Sequence, residues 1–274
     1  MRLPASLIET WRHEPGWLEA LPQLVGECAD RWSLVLEEPI DTPVSLVMPA
    51  GKVVLKLNAP SHVEADREAD ALAAWQGAGA VRLLARDDER RALLLERCLP
   101  GTRLWDAEED EVGVMTELLQ RLQLELDDDH PFVRLADEAD RWACDVAVRY
   151  EEAGAPFERP LLELALDVYR TVDRSASWLV NQDLHGGNVL RAEREPWLVI
   201  DPKPLVGERE LEATGPLRNT ADVSRWLDAL TELGFDRERA RGWGVAHNLA
   251  WAWDQRDGWL DGHVDEARRI FNAR

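Results

Sequence analysis

Three residues in the second half of the chain, Asp183, Asn188 and Asp201, carry oxygens suited to a hard cation and to an attacking hydroxyl. Asp183 and Asn188 stand five apart on one loop, and the apolar runs 189–191 and 197–200 read as a hairpin around 192–196. The two ends of a hairpin are neighbours, so Asp201 is expected back beside the loop. Phosphoryl transfer uses such a set. Magnesium takes hard oxygen ligands, keeps few from protein, and completes its shell with phosphate oxygens. Asn188 and Asp201 suit that role, and Asp183 is left to orient the attacking hydroxyl and accept its proton. Gly186 and Gly187 let the loop approach phosphates without a side chain in the way. An Asp and an Asn at this spacing are weak evidence alone. Their weight comes from the hairpin, from Asp201, and from Lys56 on an upstream strand.

The elements that position these groups change character along the chain. Residues 6–30 carry apolar positions at helical spacing, and strand-like runs follow at 32–36, 44–48 and 53–57. The last two are joined by 49–52, as in a hairpin. Residues 63–75 read as a helix ended by Gly77 and Gly79, and 81–85 and 92–96 as two more strands. Past Pro100-Gly101 the pattern is almost all helix. Asp106 with Glu109 three residues on forms a capping box. Val112, Met115, Leu118, Leu119 and Leu122 then line one face. Further helices are expected at 135–152, from Pro160 to about 173, at 221–233, and from 237 to about 253. A strand-rich front and a helix-rich back predict an α+β fold.

With 45% apolar and 31% charged residues over 274 positions, the chain can bury a sizeable core. No run approaches the roughly 18 apolar residues of a membrane span. Glu9, Arg12, His13 and Glu14 interrupt the place where a leader would be apolar, so a cytoplasmic location is expected. A net charge of −21 disfavours nucleic acid and anionic membranes as partners. It attracts a cationic small molecule, or serves solubility alone. Cys28, Cys98 and Cys144 are few and far apart, which predicts buried thiols and neither disulfides nor a cysteine zinc site. Trp243, Trp251, Trp253 and Trp259 invite a sugar- or cation-stacking role beside Asp254 and Asp257. Core packing and a solvated acidic face are the competing readings.

Asn181-Gln-Asp-Leu-His-Gly-Gly-Asn188 resembles the HGDLHxxN loop of the aminoglycoside phosphotransferases and related small-molecule kinases, and Ile200-Asp201-Pro-Lys203 their second metal motif. Asp201-Pro-Lys-Pro-Leu-Val-Gly-Glu208, followed by Leu217-Arg218-Asn219, is similar to the aminoglycoside 6-phosphotransferase and hydroxyurea phosphotransferase branch, best known for streptomycin. The resemblance covers most of the chain. It implies a two-lobed protein-kinase-like fold, with a sheet-bearing N-terminal lobe over 1–97 and a mainly helical C-terminal lobe over 98–274. It implies ATP and Mg2+ as cofactors and a small-molecule hydroxyl acceptor. Lys56 would hold the ATP phosphates, with Glu68 as its partner and Glu64 the competing choice. Backbone groups of Glu96 and Cys98 would meet the adenine. Asn181 and Gln182 stand where the family usually has His and Gly, residues 42–48 contain no glycine, and 212–216 read as a break in the branch's helical run. The acceptor therefore stays open between an aminoglycoside and an amino sugar or other metabolite. A nucleotide-binding module with impaired catalysis is the third reading. Lys203 is left between an ion-pair partner and a phosphate contact, and His185 is read as structural.

Overall fold

The computed structural model describes residues 2–218, 220–254 and 256–273; Asn219, part of the motif quoted above, lies outside the described residues. In chain order the elements are α1 (Ala5–Thr10), α2 (Pro15–Trp32), β1 (Ser45–Ala50), β2 (Val53–Asn58), α3 (Glu68–Trp75), β3 (Leu83–Asp87), β4 (Ala92–Glu96), α4 (Glu111–Leu122), α5 (Leu135–Glu152) and α6 (Arg159–Arg170). There follow β5 (Trp178–Asn181), β6 (Val189–Arg191), β7 (Trp197–Val199), β8 (Pro204–Gly207), α7 (Thr214–Leu217), α8 (Val223–Glu232), α9 (Arg237–Trp251), β9 (Trp253–Asp254), β10 (Gly258–Trp259) and α10 (Asp261–Asn272). Two compact units result, one of Met1–Thr102 with Leu190–Asp201, the other of Arg103–Val189 with Pro202–Arg274.

The first unit is a four-stranded antiparallel sheet, ordered β1-β2-β4-β3, with a helical layer. Trp17, Leu21, Val25 and Cys28 fall on one face of α2 and pack, with Leu7 and Trp11, against Leu46, Met48, Leu55 and Leu57. Each of these leucines contributes about 1.5–3 kcal/mol by its burial. Successive side chains of a strand point to opposite faces. Leu55 and Leu57 join this core, so Lys56 between them projects to the other face. Leu190–Asp201 is tied to the same unit: Val199 N–H donates to Gly79 O (2.9 Å) and Val81 N–H to Val199 O (3.0 Å). The guanidinium of Arg194 donates to the Glu96 carboxylate and to the carbonyls of Gly77 and Ala80.

In the second unit α9 is central, burying Ala240, Trp243, Val245, Ala246, His247 and Leu249 among its neighbours. Strand β5 pairs antiparallel with β8, Asn181 opposite Pro204. Just after β8, the buried Glu208 carboxylate accepts from Arg239 Nε (2.6 Å), Arg239 Nη2 (2.8 Å), Trp243 Nε1 (2.7 Å) and Asp173 N–H. Among the described residues no helix is long and apolar enough to cross a membrane.

Several elements differ from the sequence reading. Residues 32–36 form no strand: α2 keeps its period to Trp32 and is capped by Ser33 in the left-handed region (φ 54°). The chain beyond lies along β1 as an irregular edge, Glu37 N–H on Pro49 O and Ile40 N–H on Val47 O. The helix expected from residue 63 begins at Glu68, after a 3-10 turn at Val63–Ala65. Asp106 caps no α-helix: it ends a 3-10 turn, Leu104–Asp106, the chain goes extended at Ala107, and α4 starts at Glu111. Residues 212–216 span the end of a 3-10 turn, Arg209–Ala213, and the start of the four-residue α7. Strand β8 and helix α10 went unread, and Cys144 is exposed on α5 while Cys28 and Cys98 are buried.

Removing Glu208 leaves Trp243 Nε1 without its acceptor and the partly buried Arg239 guanidinium without its carboxylate, with only Val168 O and Thr171 Oγ1 left to it. Glu208→Ala should cost about 3–5 kcal/mol, read as a lower urea midpoint at unchanged slope. A loss below about 1 kcal/mol would show that the network contributes little net stability.

Candidate active site

In the first unit the structure brings together Lys56, Glu68 and Asp201. Lys56 Nζ donates to both oxygens of Glu68 (2.8 and 2.7 Å) and to Asp201 Oδ1 (2.7 Å). The partner of Lys56 is therefore the first residue of α3, Glu68, which is fully buried. Burial opposes the charge on Lys56, but Asp201 and Glu68 outweigh it and hold the ammonium well above its usual range. Burial and the Asp201 carboxylate raise Glu68, Lys56 opposing. One ammonium thus serves two acids. Asp201 itself sits at φ 52°, a left-handed conformation that costs a non-glycine residue about 1–3 kcal/mol and that collects at functional sites. Glu96 N–H is engaged by Arg82 O (2.9 Å), so it is closed to a nucleotide. The Cys98 N–H meets no protein acceptor among the described residues, and burial pushes its thiol up to about 12. Between the edge segment and β1, Thr42 Oγ1 donates to Ser45 O (2.6 Å), and residues 45–48 are strand, as the strand-like run 44–48 predicts.

In the second unit the loop after β5 carries Asp183 and Asn188. Asn181 Oδ1 accepts from Asp183 N–H (3.1 Å) and from Lys203 N–H (3.0 Å), tying the loop to the chain entering β8. Gln182 N–H donates to Lys203 O (3.2 Å), and Thr214 Oγ1 donates to Gln182 O (3.1 Å). Asn188 Nδ2 donates to the Asp183 carbonyl (3.1 Å), which fixes its amide and leaves Oδ1 as the oxygen free to face a hard cation. His185 closes the loop: Nδ1 accepts from Gly187 N–H (3.1 Å), and its ring stacks on Trp105 at 4.7 Å. A Cβ on Gly186 would sit 2.4 Å from Trp105 Cδ1, and one on Gly215 only 1.7 Å from Leu184 O. Glycine at 215 is what lets α7 press against the loop.

Two cations meet the Asp183 carboxylate. Arg218 Nη2 donates to Oδ1 (2.9 Å) and Lys203 Nζ lies 3.1 Å from Oδ2. Both face Trp251, at 5.0 and 4.8 Å from the ring centre. Burial, with Arg218 and Lys203 nearby, pushes His247 well below the usual imidazole range, and the neutral ring meets Gln182 Oε1 at 3.2 Å. Of the tryptophans, Trp243 is fully buried core and Trp251 a cation platform. Arg218 pairs to a carboxylate 35 residues earlier, a contact with no local signal in the sequence. Beneath the loop, buried Glu212 accepts from Asn181 N–H (3.4 Å), and burial raises it to about 8. Asn181 Nδ2 is buried and finds no partner among the described residues.

The donor chemistry suits a magnesium nucleotide. Among the described residues no group of three or more His, Cys, Asp or Glu is set to cage a metal. Magnesium keeps few protein ligands and takes phosphate oxygens for the rest, so it asks for no such cage.

Two outcomes follow. Gly215→Ala must displace the loop, and a shift of about 1 Å costs on the order of 10²-fold in rate; an unchanged transfer rate would show that α7 yields instead. Glu212 has a raised folded-state value, so its contribution is fully present below about 4.5 and is lost as pH rises towards about 8. Glu212→Gln should flatten stability across that window in denaturant titrations, whereas a profile parallel to wild type contradicts the shift.

Residues 31–258 match the family described as aminoglycoside/hydroxyurea antibiotic resistance kinase. Streptomycin 6-kinase of Streptomyces griseus is 36% identical, over 94% of this chain and 92% of its own. Hydroxyurea phosphotransferase of Kitasatospora aureofaciens is 36% identical, over 92% and 80% respectively. Among solved structures, choline kinase from Streptococcus pneumoniae superposes with a TM-score of 0.63 at 12% identity, over 92% of this chain and 97% of that one. That likeness gives the fold, α+β and protein-kinase-like. With the loop, the lysine pair and these relatives in hand, the chain belongs to the aminoglycoside/hydroxyurea antibiotic resistance kinase family and is a small-molecule kinase that uses ATP.

Proposed function

We propose that the chain moves the γ-phosphoryl group of ATP, with magnesium, to a hydroxyl of a small cationic acceptor, an aminoglycoside such as streptomycin first among them. The observation that carries this is the loop of the second unit. Asn181 pins it at Asp183, and Asn188 turns its amide nitrogen inward, so a carboxylate and an amide oxygen are presented by one rigid turn. Asn181 replaces the usual histidine yet makes two backbone bonds, which supports catalysis over an impaired binding module.

Asp183 orients the acceptor hydroxyl and takes its proton. Lys56, held charged by Glu68, binds the α/β-phosphates. Magnesium, when bound, neutralises phosphate charge; Asn188 and Asp201 would hold it. The Cys98 backbone meets the adenine, and of Glu96 only the carbonyl is open to that role, its N–H being engaged. An acidic chain, −21 overall, concentrates a cationic acceptor near its surface. Two relatives act on streptomycin and hydroxyurea by name, and these differ greatly in size and charge. The fold does not choose between them.

A coupled ADP-release assay against aminoglycosides, hydroxyurea, hexoses and amino sugars tests the reading. Turnover with an aminoglycoside supports it, turnover only with a hexose or amino sugar moves the acceptor class, and no turnover with Mg-ATP still bound leaves a binding module. Asp183→Ala should lower transfer by about 10²–10⁴-fold while nucleotide affinity holds; retained turnover would remove Asp183 from the chemistry. Asp201→Ala should weaken Mg-ATP binding by calorimetry, and unchanged affinity would count against its metal role.

A further inference from the structure

Both oxygens of the Asp183 carboxylate are covered by cations, and the two cations are not alike. Arg218 is on Oδ1 at 2.9 Å, its side chain 9% exposed, with a planar fork laid over Trp251. Lys203 is on Oδ2 at 3.1 Å, its side chain 19% exposed. A guanidinium fork is pre-organised and held in place by its geometry, whereas an ammonium is a point charge on a flexible stem. The main chain of Lys203 is fixed on both sides, N–H on Asn181 Oδ1 (3.0 Å) and carbonyl taking Gln182 N–H (3.2 Å). Its side chain, on Asp183 Oδ2 and over the Trp251 ring, is the flexible stem that carries the ammonium. A hydroxyl that is to give its proton to Asp183 needs one of the two oxygens, and Oδ2 is the one whose cation is able to leave.

We infer that Lys203 is a further catalytic residue. Its ammonium moves from Asp183 Oδ2 to the non-bridging oxygens of the transferring phosphoryl group as the acceptor hydroxyl takes its place on Oδ2. Arg218 stays on Oδ1 as a positioning residue. The inference rests on the reading of Asp183 as the base. In the step, the acceptor oxygen forms its bond to the γ-phosphorus and the bond from that phosphorus to the β–γ bridging oxygen breaks. The electron pair leaves with ADP and the hydroxyl proton goes to Oδ2. Lys203 keeps its own protons and supplies charge and hydrogen bonds. The Trp251 face, 4.8 Å from the ammonium, favours a cation along the side it travels from. Removing one such preorganised donor typically costs 10²–10³-fold in kcat.

The competing account is that Lys203 only holds Asp183 in place. The two separate in binding measurements that need no turnover. ADP affinity and the affinity for magnesium, ADP and aluminium fluoride in the presence of an accepted acceptor are measured for wild type, Lys203→Met and Lys203→Arg, each also in an Asp183→Asn background. The inference predicts that Lys203→Met leaves ADP affinity within about twofold, weakens the aluminium fluoride complex at least about tenfold, and does so equally with Asn at 183. Lys203→Arg keeps most of that affinity. Loss confined to the Asp183 background, or equal loss for ADP and the fluoride complex, overturns it. If Lys203→Met fails to bind ADP at all, Lys203→Gln replaces it under the same criteria. Wild type that turns over no acceptor overturns the base reading itself, whereas active wild type with an unaffected Lys203→Met fluoride complex overturns only the role of Lys203.

Discussion

The amide oxygen of Asn181 is the pivot of the second unit. It is fully buried, and it accepts from two backbone N–H groups, Asp183 on the loop and Lys203 on the chain entering β8. Backbone donors cannot rotate away, so both segments are held in one register. The β5–β8 pairing, the close approach of Gly215 to Leu184 O, and the support of Glu212 all build on that junction. Its cost is visible in the same residue, whose Nδ2 is buried without a partner among the described residues; such a group gives up about 1–3 kcal/mol.

Each unit balances charge locally despite the acidic whole. In the first, one buried ammonium, Lys56, is shared by Glu68 and Asp201. In the second, one carboxylate, Asp183, is shared by Lys203 and Arg218. The two arrangements are mirror images in sign. Asp201 and Pro202 fall in different units, so the motif that begins with Asp201 supplies an acid to one group and, two residues on, a base to the other. A kinase needs both kinds, positive charge for phosphates and negative charge for metal and hydroxyl, without either collapsing onto its neighbours.

The legible part of the site was what local spacing encodes. The loop that carries Asp183 and Asn188 and the β6–β7 hairpin after it are short-range features, and β2, β4, α5 and β6 fall where alternation and helical period place them. Lys56 with Glu68 came from resemblance, and the side-chain bonds agree with that pairing. What stayed hidden depends on distant partners. Arg218 reaches Asp183 across 35 positions, and Arg194 reaches Glu96 across 98. A local cap pattern also misled: Asp106 has the spacing of a cap but ends a short 3-10 turn, and α4 begins only at Glu111. The close approach at Gly215 was also hidden: the glycine is demanded by the Leu184 carbonyl pressed against it, 31 residues earlier in the chain.

The central claim is that this chain places a phosphoryl group from ATP on a hydroxyl of a small cationic molecule through the carboxylate of Asp183. Phosphorus NMR of reactions with streptomycin tests it most directly. The account predicts a phosphate monoester resonance coupled to an acceptor carbon-bound proton, formed in step with ADP and missing when Asp183→Ala replaces wild type. Release of inorganic phosphate alone, or an ester that forms undiminished with Asp183→Ala, would contradict it.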